Sequence, residues 1–201
     1  MGNTHFQSGS LSMAQNWPSS TALPRKTRSK KLIEHAHILR PDLAAFIRLA
    51  LNTGCRKTEL LTLKWTDINT DRKYLILRPE NTKGNKRRII PLNAGALAAL
   101  HHQKSGNKTE WVFARTNGQR VKTYNWLFQK AINQAGIQDF RIHDLRHTFA
   151  SWLVSEGVEL IKVRDLLGHS SIKMTERYAH LMPDRLLSAV SVLDFFSEGS
   201  E

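Results

Sequence analysis

The residues best suited to chemistry are a histidine and an arginine three positions apart, His143 and Arg146, in the segment His143-Asp144-Leu145-Arg146-His147-Thr148-Phe149-Ala150-Ser151-Trp152-Leu153. At helical spacing Leu145, Phe149, Trp152 and Leu153 share one buried face, while His143 and Arg146 lie together on another edge at the helix start. A helix amino terminus carries unpaired N–H groups and a partial positive charge, so this corner suits a phosphate; a capped, solvent-exposed helix start has the same pattern. Downstream, Leu166-Leu167-Gly168-His169-Ser170-Ser171 predicts a helix stop and a turn exposing His169, followed by a helix with Arg177, Tyr178 and His180. Tyr178 is either core packing or a nucleophile, because a phenol with a pKa of about 10 is inert until its surroundings activate it. Arg177, His169, His143 and Arg146 would each favour its phenolate if the fold gathers them. Upstream, Thr53-Gly54-Cys55-Arg56-Lys57-Thr58-Glu59 sets Arg56 past a glycine turn at a helix entry, where its guanidinium either aims at an anion or pairs with Glu59. Lys83 stands in a basic turn with Lys86, Arg87 and Arg88, any of which could contact a phosphate. His143 and His147 also have the spacing of two helical zinc ligands, but no Glu follows His143 and the one cysteine, Cys55, is distant, so metal binding is set aside.

These residues must be positioned by a helix-rich chain with one small antiparallel sheet. Leu43, Phe46, Ile47, Ala50 and Leu51 form a helical stripe that ends at Asn52-Thr53-Gly54. Further helical patterns cover about 57–64, 94–102, 123–135, 143–155, 160–167, 172–180 and 185–196. Two apolar runs, 74–77 and 88–92, flank the Gly84 turn and predict a basic-tipped hairpin. Residues 1–31, polar and then basic, are expected to be a flexible tail or linker remnant. The final stretch, with Leu186, Leu187, Val190, Leu193, Phe195 and Phe196, is apolar for a chain end and either folds back or docks on a neighbour.

Composition narrows the function classes. Lysine and arginine number 30 against 17 aspartates and glutamates in 201 residues, a formal charge of +13 that calls for an acidic partner. Apolar residues at 40% argue against wholesale disorder. The apolar stretch 43–51 carries Arg48 and is too short to span a membrane, and residues 1–20 lack the apolar core of a signal peptide. With a single cysteine no internal disulfide forms, which points to a reducing compartment, the cytoplasm.

Together these motifs resemble one family. Arg56 in TGCRKTELL, Lys83 in NTKGNKRRIIPL, His143 and Arg146 in HDLRHTFAS, His169 in LLGHSS and Tyr178 in TERYAH resemble, in order, the active-site residues of tyrosine recombinases of the bacteriophage integrase type. The resemblance covers about residues 33–190 and implies a catalytic domain over 32–201, without the amino-terminal core-binding domain such integrases carry. It implies that Tyr178 attacks a scissile phosphate in double-stranded DNA, forming a 3′-phosphotyrosine and releasing a 5′-hydroxyl. Arg56 and Arg146 would clamp the non-bridging oxygens, with a further hydrogen bond from His169. His143 would handle the proton near the nucleophile, and Lys83 would protonate the departing oxygen. The resemblance implies that no metal or other cofactor is required. The full-length protein would act as a tetrameric synapse on DNA, in the bacterial cytoplasm at the nucleoid, as in a prophage. Rival readings are type IB topoisomerase-like relaxation, a non-catalytic basic DNA-binding module, and a metal nuclease.

Overall fold

Helix α2 (Pro41–Thr53) is the element around which the rest is arranged. Pro41 sits in its first turn, where a missing N–H costs nothing, and Asp42 there complements the positive end of the helix dipole. Leu43, Phe46, Ile47, Leu49 and Ala50 are buried, and α2 packs against α1 (Thr27–Leu39), α4 (Ala94–Lys104) and α6 (Asp144–Ser155). These spans come from a computed structural model that describes residues 27–82, 85–104 and 109–183. Residues 1–26, Lys83 and the apolar final stretch lie outside the described residues.

The remaining helices are α3 (Lys57–Leu61), α5 (Asn125–Gln134), α7 (Leu160–Leu167) and α8 (Lys173–Glu176). Three strands, β1 (Ile68–Asn69), β2 (Tyr74–Leu77) and β3 (Arg88–Pro91), form an antiparallel sheet in that order. Leu75 faces Ile90 and Leu77 faces Arg88 across β2 and β3. Leu75, Leu77 and Ile90 point into the core while Ile89 is exposed, the alternation of a half-buried sheet. Within the main core Phe46 meets Phe113 edge-on at 5.5 Å and Tyr124 at 5.1 Å, and the Tyr124 hydroxyl donates to Asp42. A second, smaller cluster joins Phe149, Ala150, Val154, Val163, Leu167 and Tyr178.

Three features differ from the sequence reading. Residues 27–31, grouped there with the tail, are the opening of α1, with Ser29, Leu32 and Ala36 buried. The cations Arg28, Lys30 and Lys31 between them mask that narrow stripe. The two-residue strand β1 is too short to show a period. The helix expected over 172–180 is broken: α8 ends at Glu176, and i→i+3 bonds from Tyr178 to Thr175 and from Leu181 to Tyr178 wind the chain into a 3-10 turn at Ala179–Leu181. That tighter winding accompanies a Tyr178 side chain that faces inward. No described helix is long and apolar enough to cross a membrane.

Gly54 joins the two clusters. It ends α2 at φ +63°, and a Cβ there would stand 2.3 Å from Cδ1 of Phe149. We expect Gly54→Ala to lose at least about 2 kcal/mol of stability from left-handed strain and overpacking, measured by urea denaturation. A loss below about 0.5 kcal/mol would contradict that packing.

Candidate active site

A buried carboxylate organises one side of the site. Glu59, on α3, has a side chain with 0% exposure. Its Oε1 accepts from Nη1 of Arg56 at 2.9 Å, and its Oε2 accepts from the Arg56 backbone N–H at 2.6 Å and from Nη2 of Arg88 at 3.1 Å. The Glu59 carboxylate thus caps the head of α3 by accepting the Arg56 N–H and at the same time pairs with the Arg56 guanidinium. It holds Arg56 at 21% side-chain exposure and Arg88 at 13%, both partly open to an incoming group.

Arg146, in the first turn of α6, is only 4% exposed and bonds no carboxylate among the described residues. Its Nη1 donates to the Gly54 carbonyl at 2.7 Å and its Nη2 to the Leu167 carbonyl at 2.6 Å. Those carbonyls lie at the carboxyl ends of α2 and α7, where the helix dipole is negative. Burial, and then the neighbouring Arg56, pull the Arg146 pKa down to about 10, which still leaves it protonated at neutral pH.

The turn after α7 closes the cluster. Gly168 has φ +63°, and a Cβ on it would sit 2.1 Å from Nη1 of Arg88. Glycine here therefore serves both the left-handed helix end and the close approach of the Arg88 guanidinium. Nδ1 of the next residue, His169, is hydrogen-bonded to Oγ1 of the fully buried Thr175 at 2.8 Å, which orients the ring. Burial comes first, and Arg146, Arg56, Arg177 and Arg88 follow, in pushing His169 down to about 4. His143, at the head of α6, is lowered by burial and then by Arg146. At neutral pH His169 is uncharged, surrounded by guanidinium groups.

Tyr178 is 4% exposed, with its ring in the second cluster. Its hydroxyl meets Nδ1 of His147 at 2.5 Å. Burial pushes the phenol up to about 12, although Arg177 and Arg146 pull the other way. His147 is driven down to about 4 by burial, then by His143, Arg177, Arg146 and His169. His143 lies behind His147, ring centres 4.8 Å apart and nearly perpendicular. These two histidines belong to no group of three or more His, Cys, Asp or Glu side chains that could hold a metal, among the described residues.

The fold thus gathers Arg56, His143, Arg146, His169 and Tyr178 of the six residues singled out in the sequence. Lys83 lies outside the described residues, on the connection between β2 and β3. Sequence reasoning missed the shared role of Glu59 and Arg88, since a bridge across 29 residues leaves no local period. It treated His147 only as a zinc candidate, and the lone signal was its place on the same helix as His143 and Arg146. A groove of about 460 Å³ lined by Lys57, Asn125, Phe128, Gln129, Arg141 and Ile142 opens at His143. Its rim offers the cations of Lys57 and Arg141 beside the apolar Phe128 and Ile142.

Comparison with known proteins supplies the family. The sequence profile of the phage integrase family matches residues 25–185. The integrase of Salmonella phage P22 is 35% identical over 179 residues, which are 83% of this chain and 45% of that protein. Tyrosine recombinase XerD of Rhizobium meliloti (strain 1021) is 35% identical over 153 residues, 71% of this chain and 48% of that one. The chain spans about half the length of the curated relatives it matches. Among solved structures, the catalytic domain of bacteriophage HP1 integrase superposes with a TM-score of 0.67 at 26% identity, covering 90% of this chain and 99% of that domain. With the clustered arginines, histidines and tyrosine on a matching helical scaffold, the chain belongs to the phage integrase family of tyrosine recombinases and has the fold of their catalytic domain.

Proposed function

We propose that this chain is the catalytic domain of a site-specific DNA recombinase that cleaves and rejoins strands through a phosphotyrosine. The observation that carries the reading is the convergence of Arg56, Arg88 and Arg146 beside two uncharged histidines and a docked tyrosine, with the buried Glu59 carboxylate bonded to two of the arginines. Planar, bidentate guanidiniums suit the equatorial oxygens of a phosphoryl group in its transition state. A protein nucleophile conserves the energy of the broken bond as an ester, so resealing needs no external energy source.

In this reading Arg56 and Arg146 clamp the scissile phosphate, and His169 hydrogen-bonds a non-bridging oxygen. Tyr178 attacks phosphorus, and His143 helps to set the protonation of the nucleophile's surroundings. Lys83 protonates the departing 5′-oxygen. The cluster supplies by fixed cations the charge stabilisation that metal ions supply in many phosphoryl-transfer enzymes. The partner is double-stranded DNA, a reading supported by the clustered arginines and by Lys57 and Arg141 in the groove beside His143. The longer protein would self-associate on DNA as a tetrameric synapse, in the cytoplasm of a bacterial host at its nucleoid, consistent with carriage by a prophage.

The primary test is a nicked suicide duplex, in which the released fragment diffuses away. Tyr178→Phe is expected to abolish an SDS-stable protein–DNA adduct that the parent chain forms, and no adduct from the parent chain would contradict the reading. On a substrate with a 5′-bridging sulfur, which leaves without a proton, Lys83→Ala should recover most of its cleavage rate. An equal defect on oxygen and sulfur substrates would assign the acid elsewhere. Duplex binding should weaken by at least about tenfold between 50 and 200 mM salt, because binding releases counterions from the phosphates. A flat salt dependence would mean that the +13 charge serves solubility.

A further inference from the structure

We propose that His147 is a catalytic residue, the acceptor of the Tyr178 proton in strand cleavage and its donor in rejoining, an inference that rests on reading Tyr178 as the nucleophile. The contact is direct, with Nδ1 of His147 2.5 Å from the Tyr178 hydroxyl. His147 is carried on α6, the same rigid helix that begins at His143 and bears Arg146, so acceptor and clamp are fixed relative to each other. His143 stands behind His147, edge to face, rather than on the phenol.

The surroundings suit the role. Groups facing the pair are Arg146, His143 and Asp144 on α6, Arg177 beside α8, and His169 on the turn before α8. Burial, reinforced by the neighbouring cations, keeps the imidazole uncharged at neutral pH, and only an uncharged imidazole can accept a proton. The phenol, pushed up to about 12, would be ionised in only about one molecule in 10⁵ at pH 7, so attack needs an acceptor in contact. Transfer accompanies bond formation, because the phenolic oxygen grows more acidic as its lone pair goes to phosphorus.

The step balances. The Tyr178 oxygen–phosphorus bond forms, the bond from phosphorus to the 5′-oxygen breaks, and the phenolic proton moves to Nδ1 of His147. The departing 5′-oxygen takes a proton from the general acid, Lys83 in the reading above. In rejoining, the 5′-hydroxyl attacks phosphorus and gives its proton to that same base, and the phenolate leaves with the proton held by His147. No oxidant, reductant or metal enters.

His147→Asn and His147→Ala separate proton transfer from packing, since an Asn amide can reach the position of Nδ1 but cannot take up a proton. On the 5′-bridging sulfur suicide duplex, where the leaving group needs no acid, both variants should form adduct about 100-fold more slowly than the parent at pH 7. The deficit should shrink as pH rises to 9 and the phenol ionises unaided. An Asn variant at the parent rate, or a deficit independent of pH, overturns the proposal. No adduct from the parent chain would sink the cleavage reading and this proposal with it. A second arm needs no activity: ¹⁵N NMR of the DNA-free chain should show His147 as the Nε2–H tautomer, with an Nδ1 signal that shifts in Tyr178→Phe. The Nδ1–H tautomer, or a signal indifferent to that substitution, also overturns it.

Discussion

Crowding of guanidinium groups is the constraint to which the rest of the site answers. Arg56, Arg88 and Arg146 come together where water is largely excluded, and like charges in such surroundings repel strongly. Glu59 relieves part of the repulsion by bonding two of the three. Arg146 is held instead by the carbonyls of Gly54 and Leu167, at the negative ends of two helices. The glycines follow from the same requirement: Gly54 turns its carbonyl toward Arg146, and Gly168 leaves room for Arg88. What remains is an excess of positive charge aimed at one place, which an anion with several oxygens can neutralise.

That excess adds to burial in setting the state of the titratable groups around it. His147 and His169 are held down to about 4, and His143 is lowered too, burial being the first cause and the arginines reinforcing it. Uncharged histidines can orient, accept and donate without adding to the repulsion. Tyr178 experiences the opposing influences of burial, which raises its pKa, and of Arg177 and Arg146, which lower it. The site is therefore organised for an anion before one arrives, the preorganisation that electrostatic catalysis depends on.

Much of this could be read from the sequence where the signal is local. The α2 stripe, the β2–β3 pairing and α7 follow from spacing and glycine stops, and the structure gathers five of the six residues picked out by motif. What stayed hidden was either too short or too distant in sequence. Strand β1 has two residues, and α1 buries a narrow stripe beneath lysines and arginines. Glu59 had an obvious partner three residues away in Arg56, but Arg88, on β3, reaches it from 29 residues along the chain, its guanidinium packed against Gly168. The contact between His147 and Tyr178 spans 31 residues and depends on the chain tightening after α8, which no periodicity announces.

The central claim, that unneutralised guanidinium charge awaits a phosphodiester, is tested most directly by titrating His169 by NMR with and without bound duplex. Burial holds the imidazole down first and the arginines add to it; on this account a phosphate among the arginines offsets their part, so the His169 pKa should rise from about 4 by roughly one unit or more on binding. A His169 pKa unchanged by saturating duplex would contradict it.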